Sequence, residues 1–118
     1  YPAHLRGLKW VARWVSENTP HGSIIMCRQP EIAFHADRKW VAFPHATMPD
    51  CWDYAIRHEV DFWIFESDII RSRRPHLLPY LTGEKSHEGL VEVYRMESPP
   101  DKTYAIFRMQ RYLTPSED

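Results

Sequence analysis

Two carboxylates stand where the third apolar segment of the chain ends, and this position makes them the first candidates for chemistry. Glu66 and Asp68 follow residues 61–65, whose continuous apolar character predicts a buried strand. In α/β proteins, ligands bind at the carboxyl ends of parallel strands. An acid-x-acid pair can also hold a divalent ion, but an octahedral site needs further oxygen ligands, and no second acidic cluster supplies them. The alternative interpretation is a solvated acidic turn at which the chain leaves the core.

The densest cluster of charge in the sequence follows directly. Arg71, Arg73 and Arg74 each carry a guanidinium group that can donate two hydrogen bonds to one phosphate. Ile69 and Ile70, just before them, can dip into an interface while the guanidinium groups stay in water. We therefore expect an exposed segment that binds a ligand or lipid head groups. An ordinary solvated loop is the alternative.

Other reactive residue types lack the spacing that their chemistry needs. Neighbouring histidines are at least ten positions apart, whereas zinc sites pair closely spaced ligands. No serine lies in a Gly-x-Ser-x-Gly sequence, neither cysteine lies in a recognisable metal or reactive-thiol motif, and four glycines are too few for a glycine-rich phosphate loop. The sequence thus predicts no metal site, no cofactor and no catalytic residue. The histidines are His4, His21, His35, His45, His58, His76 and His87.

The elements that must position these side chains can be recognised from hydrophobic periodicity. Leu8, Ala12 and Val15 recur at helical spacing, which predicts an amphipathic helix over residues 4–18. Trp40 and Trp63 fall in apolar runs that predict core strands, and residues 66–75 are predicted to be a polar segment. The predicted strands span 23–27, 39–43, 61–65, 90–96 and 103–109; further helices span 30–36 and 51–59, the latter capped by Thr47 or Asp50, and one or two helical turns fall within 76–82.

The order of these elements predicts the fold class. Connections of 11 and 17 residues separate the first three strands, which is long enough for crossovers that keep them parallel. The last two strands are joined by a short loop typical of an antiparallel hairpin. We therefore predict a single-domain α/β sandwich, residues 1–118, with three mostly parallel strands, a C-terminal antiparallel hairpin at one edge, and helices packed on the sheet. Residues 114–118 are predicted to be a frayed tail.

Composition excludes several classes of protein. Fifteen basic and 16 acidic residues give a net charge of −1, so no global field attracts nucleic acid, and no nucleic-acid partner is predicted. The longest apolar runs have four residues, far short of the roughly 20 that span a bilayer. With 43% hydrophobic and 26% charged residues, the chain is neither disordered nor a coiled coil. We expect a monomer in isolation.

Several short motifs, in a fixed order, carry a resemblance to a known family. Trp14-Val15 runs into Asn18-Thr19-Pro20, an Arg-x-Pro-Glu sequence at 28–31 leads to Arg38-Lys39, and a Pro-Asp pair opens the helix before the strand at 60–64. Val-Tyr-Arg at 93–95 and Ala-Ile-Phe-Arg at 105–108 close the pattern. Over roughly residues 8–110 the chain resembles the C-terminal extracytoplasmic domain of bacterial polytopic membrane glycosyltransferases, the superfamily of dolichyl-phosphate-mannose-protein mannosyltransferases and lipid A aminoarabinose transferase.

The resemblance implies an accessory role. In such enzymes the catalytic acids and the contacts to the lipid-phosphate sugar lie in the transmembrane part, so no catalytic residue carries over to this chain. The implied function is that of a non-catalytic domain, on the periplasmic or cell-surface side, of a parent enzyme that uses a polyprenyl-phosphate-linked sugar. Its implied partners are the transmembrane part of the same polypeptide, an acceptor substrate or anionic lipid head groups. The start at Tyr1, without Met, fits a cut through a longer polypeptide.

Two other classes remain open. One is a ligand-binding or protein-interaction α/β module without catalytic activity, which a ligand held near Glu66 or Arg28 would favour. The other is a small enzyme, which would need an acid/base or nucleophile constellation.

The two cysteines provide a further expectation. Cys27 ends the first predicted strand and Cys51 begins the helix after the second, so both are expected near the same rim of a parallel sheet. In an extracytoplasmic domain, a disulfide between them is possible.

Overall fold

Five strands form one mixed sheet, and helices cover both of its faces. The structure is a computed structural model, which describes residues 3–98 and 102–110. The predicted tail at 114–118 lies outside the described residues. In chain order the elements are α1 (Ala3–Asn18), β1 (Ile24–Cys27), α2 (Pro30–Ala36), β2 (Lys39–Ala42), α3 (Met48–Arg57), β3 (Phe62–Glu66), α4 (Ser67–Arg73), a 3₁₀ turn (Pro75–Leu77), α5 (Leu78–Thr82), β4 (Leu90–Ser98) and β5 (Lys102–Met109).

The strands lie in the order β2-β1-β3-β5-β4. β1 pairs in parallel with β2 on one side and with β3 on the other, whereas β5 pairs antiparallel with both β3 and β4. This arrangement confirms the predicted α/β class, with three parallel strands and an antiparallel hairpin at one edge. No helix in the described ranges has the length and apolar character needed to cross a membrane.

The sheet separates two hydrophobic cores, and β3 contributes to both. Phe62 and Ile64 pack with α1 and α2 on one face, whereas Trp63 and Phe65 pack with α3, α4 and α5 on the other. Because both faces are covered, the strand is apolar at successive positions instead of alternating. Trp63 is fully buried, as predicted. Trp40 is not: it lies on the edge strand β2 and is 42% exposed.

The segment at 66–75 differs from the polar segment that was predicted. β3 continues to Glu66, and α4 begins at Ser67. Ile70 is 2% exposed and belongs to the core beneath α3, so its side chain pins this segment to the sheet instead of being available to an interface. About one residue per helical turn of this segment is buried, and the pattern of charged residues did not reveal it.

One buried arginine ties the ends of two helices to the sheet. The Arg38 Nη2 atom donates to the carbonyls of Ser16 and Thr19 at the end of α1, at 3.0 and 2.9 Å. Its Nη1 donates to the carbonyls of Ala36 and Asp37 at the end of α2, at 2.9 and 3.1 Å, and its Nε donates to the Thr19 hydroxyl at 3.0 Å. Carbonyls at helix carboxyl ends are the negative ends of the helix dipoles, so they stabilise this cation.

We expect substitutions of Arg38 to destabilise the fold in order of how many of these bonds they remove. Arg38→Lys keeps the charge but loses the planar fork, and should lower the free energy of unfolding by about 2 kcal/mol. Arg38→Met leaves the carbonyls of both helix ends without a donor and should cost about 3–5 kcal/mol. Urea unfolding measures both, with Arg13→Met as the control, since Arg13 forms only an exposed ion pair with Glu17. Equal stabilities of Arg38→Met and Arg13→Met would contradict this role.

Candidate functional site

The carboxyl edge of the parallel strands contains a topological switch point. From β1 the chain enters α2, which packs on the face of α1. From β3 it enters α4, whose Ile70 packs on the opposite face. Because the connections leave neighbouring strands in opposite directions, the ends of β1 and β3 form a topological switch point, the position at which open α/β sheets bind ligands. Two clusters of polar side chains lie at this edge, one on each side of β1.

The first cluster, here named the arginine cleft, is open and positively charged. It has a volume of about 680 Å³ and is lined by Arg28, His45, Ser72, Arg73 and Arg74. Arg28 follows β1, His45 follows β2, and the other three residues come from the end of α4. The fold thus brings together three guanidinium groups, of which the sequence pattern indicated two. Arg71 is exposed on α4 but does not line the cleft.

Arg74 is fixed in the wall of the arginine cleft. It is 7% exposed, which corrects the expectation of an exposed side chain. Its Nη2 donates to the Phe43 carbonyl at 2.7 Å, its Nε donates to the Pro44 carbonyl at 3.1 Å, and the guanidinium lies 5.7 Å from the centroid of the Phe43 ring. Burial and repulsion from Arg28 lower the pKa of Arg74. Its remaining donors are therefore held in one orientation beside other cations.

The cations of the arginine cleft have no anionic partner within the described ranges. The ion pairs found there join Arg13 to Glu17, Arg95 to Glu92 and Lys102 to Asp68, and none of them includes an arginine of the cleft. Arg28 and Arg73 are exposed. Guanidinium groups that repel one another and face solvent favour an anion between them, and phosphate matches their paired donors.

The second cluster, here named the Glu66 cluster, is buried. Glu66 is 2% exposed and its register partner on β5, Tyr104, is 0% exposed. Neither carboxylate oxygen of Glu66 has a hydrogen-bond partner within the described ranges, and neither does the Tyr104 hydroxyl. The alternative of a solvated acidic turn is therefore wrong for Glu66. β3 spans residues 62–66 instead of the predicted 61–65, so its alternation places Glu66 on the same inward face as Phe62 and Ile64.

Charged groups at the rim of the Glu66 cluster act on its carboxyl group. Lys102 Nζ lies 3.4 Å from an oxygen of Asp68 and 5.1 Å from the centroid of the Tyr104 ring. Burial raises the pKa of Glu66 to about 7, opposed by Lys102 and the Gln29 side chain and assisted by Asp68 and Glu31. Asp68, the second predicted carboxylate, is exposed and serves as the ion-pair partner of Lys102. The two acids therefore occupy different environments.

The cysteines form no disulfide. Both are free, and they lie in different cores, Cys27 beneath α2 and Cys51 in α3 on the opposite face. The Cys27 thiol donates to the Gln29 carbonyl at 3.1 Å, and the Cys51 thiol donates to the Ala46 carbonyl at 3.4 Å. Burial raises the pKa of Cys27 and raises the pKa of Cys51 to about 11. The bond that the sequence analysis left possible is absent from this structure, because the two residues lie on opposite sides of the sheet.

Side chains of metal-ligating types also occur in the described ranges. There, no group of three or more His, Cys, Asp or Glu side chains is arranged to hold a metal ion. The rings of His45 and His76 stack with centroids 6.4 Å apart, and His76 Nε2 lies 2.7 Å from the Ala46 carbonyl oxygen. These histidines therefore belong to the wall beside the arginine cleft.

The buried carboxyl group predicts how stability depends on pH. Folded protein holds the Glu66 proton up to about pH 7, whereas the ordinary pKa is 4.5. The free energy of unfolding should therefore fall as the pH rises from 4.5 to 7, by about 3 kcal/mol from this group, and level off above pH 7. Glu66→Gln removes this contribution, so its stability advantage over wild type should grow across that window. Urea unfolding at several pH values measures the difference; Glu84→Gln, at an exposed site, should show none. A Glu66→Gln curve parallel to wild type would contradict the assignment.

Comparisons with known proteins do not place the chain in a family. No family model matches it, and no curated protein matches it either. What the chain does must therefore be inferred from the arginine cleft, the Glu66 cluster and the order of its sequence motifs.

Proposed function

We propose that this chain is a non-catalytic accessory domain that holds a phosphate group for an integral-membrane glycosyltransferase using a polyprenyl-phosphate-linked sugar. The observation that carries this proposal is the arginine cleft: three guanidinium groups, gathered at the carboxyl edge of the sheet, that have no anionic partner among the residues the structure describes. The lipid phosphate of the donor, or of the released carrier, is an anion of the right chemistry for it.

The arginine cleft is organised before any ligand arrives. Arg74 is held by two carbonyls and by the Phe43 ring, so little side-chain entropy is lost when it donates to an anion. Arg28 and Arg73 stand exposed beside it and add charge from two different elements. A phosphate in the cleft would relieve the repulsion among the three cations. This arrangement favours a defined anion site over diffuse surface charge.

Two of the sequence motifs from which the parent enzyme is inferred are in contact in the folded chain. Thr19 belongs to the Asn-Thr-Pro motif and Arg38 to the Arg-Lys motif, 19 positions apart, and the two are joined by two hydrogen bonds of 3.0 and 2.9 Å. Residues that complete one buried network must be present together if the network is to be satisfied. The Asn-Thr-Pro motif and the Arg-Lys motif are therefore linked by a physical contact. From the same resemblance we infer a location on the extracytoplasmic face, beside the transmembrane part of the same polypeptide.

The same cleft also favours a second candidate function. A ligand-binding α/β module outside any membrane enzyme would use Arg28, Arg73 and Arg74 in the same way for a small phosphorylated ligand. The two candidates differ in whether the bound phosphate belongs to a polyprenyl carrier in a bilayer.

Vesicle binding tests the phosphate site. We expect the chain to bind phosphatidylcholine vesicles containing undecaprenyl phosphate more tightly than vesicles with phosphatidylglycerol of matched charge, because a phosphate monoester exposes more oxygens to the guanidinium donors. Added salt should weaken this binding. Arg28→Ala and Arg73→Ala should each weaken it about tenfold, equivalent to about 1.4 kcal/mol. Binding is measured by vesicle co-sedimentation.

The matched control is Arg71→Ala, which removes the same charge from the same helix but outside the arginine cleft. It should change the affinity by much less than Arg73→Ala. Arg74 is left intact because its guanidinium holds the Phe43 and Pro44 carbonyls. Equal binding to neutral vesicles, or equal losses for Arg71→Ala and Arg73→Ala, would refute a defined site. Tight binding of inorganic pyrophosphate without preference for the polyprenyl lipid would favour the second candidate, and sugar transfer by the chain itself would refute the non-catalytic role.

The reading frame of the parent provides an independent test. Before the codon for Tyr1 it should encode several apolar segments of about 20 residues, each able to span a bilayer. Sequencing of the complete transcript checks this. A frame without such segments would refute the membrane parent while leaving the phosphate site of the arginine cleft in place.

A further inference from the structure

We propose that the Glu66 cluster is a second binding site, which takes two adjacent hydroxyl groups of a sugar or polyol through the Glu66 carboxylate and the Tyr104 hydroxyl. It lies across β1 from the arginine cleft and shares none of its residues. This inference does not require that the cleft binds a lipid phosphate.

Unpartnered polar atoms are the first step. Both carboxylate oxygens of Glu66 and the Tyr104 hydroxyl are buried without a close hydrogen bond within the described ranges, although the Gln29 side chain acts on the Glu66 carboxyl and Lys102 acts on the Tyr104 hydroxyl from a longer distance. Each such atom costs roughly 1–3 kcal/mol unless something satisfies it. A phenylalanine in place of Tyr104 would avoid that cost, and an apolar side chain in place of Glu66 would avoid more. Buried polar groups that oppose folding, gathered where β3 ends beside the antiparallel strand β5, point to a ligand that satisfies them.

The chemistry of the cluster selects the class of ligand. A carboxylate offers two acceptor oxygens side by side, and a phenol both donates and accepts. Anions are disfavoured because Glu66, Asp68 and Glu31 act together there, and a cation would compete with Lys102. An apolar ligand would leave the three oxygen atoms unsatisfied. Adjacent hydroxyl groups satisfy all of them: two donate to the carboxylate, and one accepts from Tyr104.

Tyr104 and Glu66 are positioned to act on the same group. They are register partners on antiparallel β5 and β3, so their side chains leave the same face of the sheet from backbones about 5 Å apart. The Gln29 side chain reaches the carboxyl group from the end of β1, and Lys102 reaches both Glu66 and Tyr104 from the start of β5. Four polar side chains from three strand ends thus converge on one point.

A ligand would reach this point by displacing Lys102, which forms an ion pair with Asp68. Lys102 and Asp68 lie 3.4 Å apart, and the Asp68 side chain is 55% exposed, whereas that of Lys102 is 18% exposed. Water screens the Asp68 side of this pair but not the largely buried Lys102, so opening the pair has a cost that a bound ligand must offset. Swinging Lys102 outward uncovers the Tyr104 ring that it now overlies. A ligand hydroxyl at this position would replace the contacts that Lys102 loses.

Protonation tunes the site. Burial raises the pKa of Glu66 to about 7, while Lys102 and Gln29 oppose and Asp68 and Glu31 reinforce that effect; burial also raises the pKa of Tyr104 and of the neighbouring Cys27. Only the ionised carboxylate accepts from two hydroxyls at once. Affinity for a diol should therefore increase as the pH rises from 6 to 8.

The experiment titrates isotope-labelled chain with methyl mannoside and methyl glucoside and follows the amide resonances of Gln29, Glu66 and Lys102. Saturable shifts are expected at these positions, stronger at pH 8 than at pH 6. Glu66→Gln and Tyr104→Phe should each weaken binding by about tenfold or more. The matched controls are Glu84→Gln at an exposed site and Tyr80→Phe at a half-buried site on the other core, and both should bind as wild type does.

A second measurement separates binding from structure. If Tyr104 is retained for a ligand, Tyr104→Phe without sugar should melt no lower than wild type, because it removes an unsatisfied hydroxyl. A clearly lower melting temperature for Tyr104→Phe would overturn the proposal, and so would shifts that are absent, non-saturable or unaffected by both substitutions. Binding of a metal ion or an alkylamine at Glu66 in preference to either glycoside would overturn the diol assignment. Phosphate-induced shifts at Arg73 should persist in Glu66→Gln, so the two sites can fail separately.

Discussion

The packing of this chain depends on a buried cation, Arg38, that forms no ion pair within the described residues. Arg38 places all of its donors on carbonyl oxygens and on one hydroxyl, and those acceptors come from the ends of α1 and α2. Burying a charge is costly unless dipoles replace the water it loses, and here two helix ends do so. Because both helices are fastened at this point, α2 is held over the sheet face onto which Glu66 points. Arg38 thus helps to hold α2 in place beside the Glu66 cluster.

Patterns of apolar residues predicted the architecture well, and charged residues were the source of the errors. α2 begins and ends where expected because Pro30 fixes its first turn, and the continuous apolar run of β3 reflects a strand covered on both faces. Glu66 and Arg74 were expected in water. Arg74 is buried because the Phe43 and Pro44 carbonyls, about 30 positions away, accept its donors. Such partners are set by the tertiary fold, so local sequence does not reveal them. Glu66 could have been found by extending the alternation of β3 by one residue.

The end of β1 divides the edge of the sheet into two environments of opposite character. Arg28 and Gln29 are consecutive, yet Arg28 lines the arginine cleft and Gln29 reaches toward Glu66 on the other face. A strand end alternates its side chains, so two residues are enough to serve both sides. Three arginines gather at the arginine cleft, whereas the Glu66 cluster combines the acids Glu66 and Asp68 with Lys102. The mixed sheet separates the guanidinium groups of the arginine cleft from the Glu66 carboxyl group.

The placement of the two thiols has a consequence for how the chain reaches its native state. In the folded protein the sheet stands between Cys27 and Cys51, and each thiol is held by a carbonyl of its own loop. In the unfolded chain nothing separates them. A bond between these cysteines is therefore compatible only with a chain that has not yet formed its sheet. In an oxidising compartment, folding competes with formation of a disulfide between Cys27 and Cys51 in the unfolded chain. The rate at which the sheet forms then determines the fraction of the protein that reaches the native state.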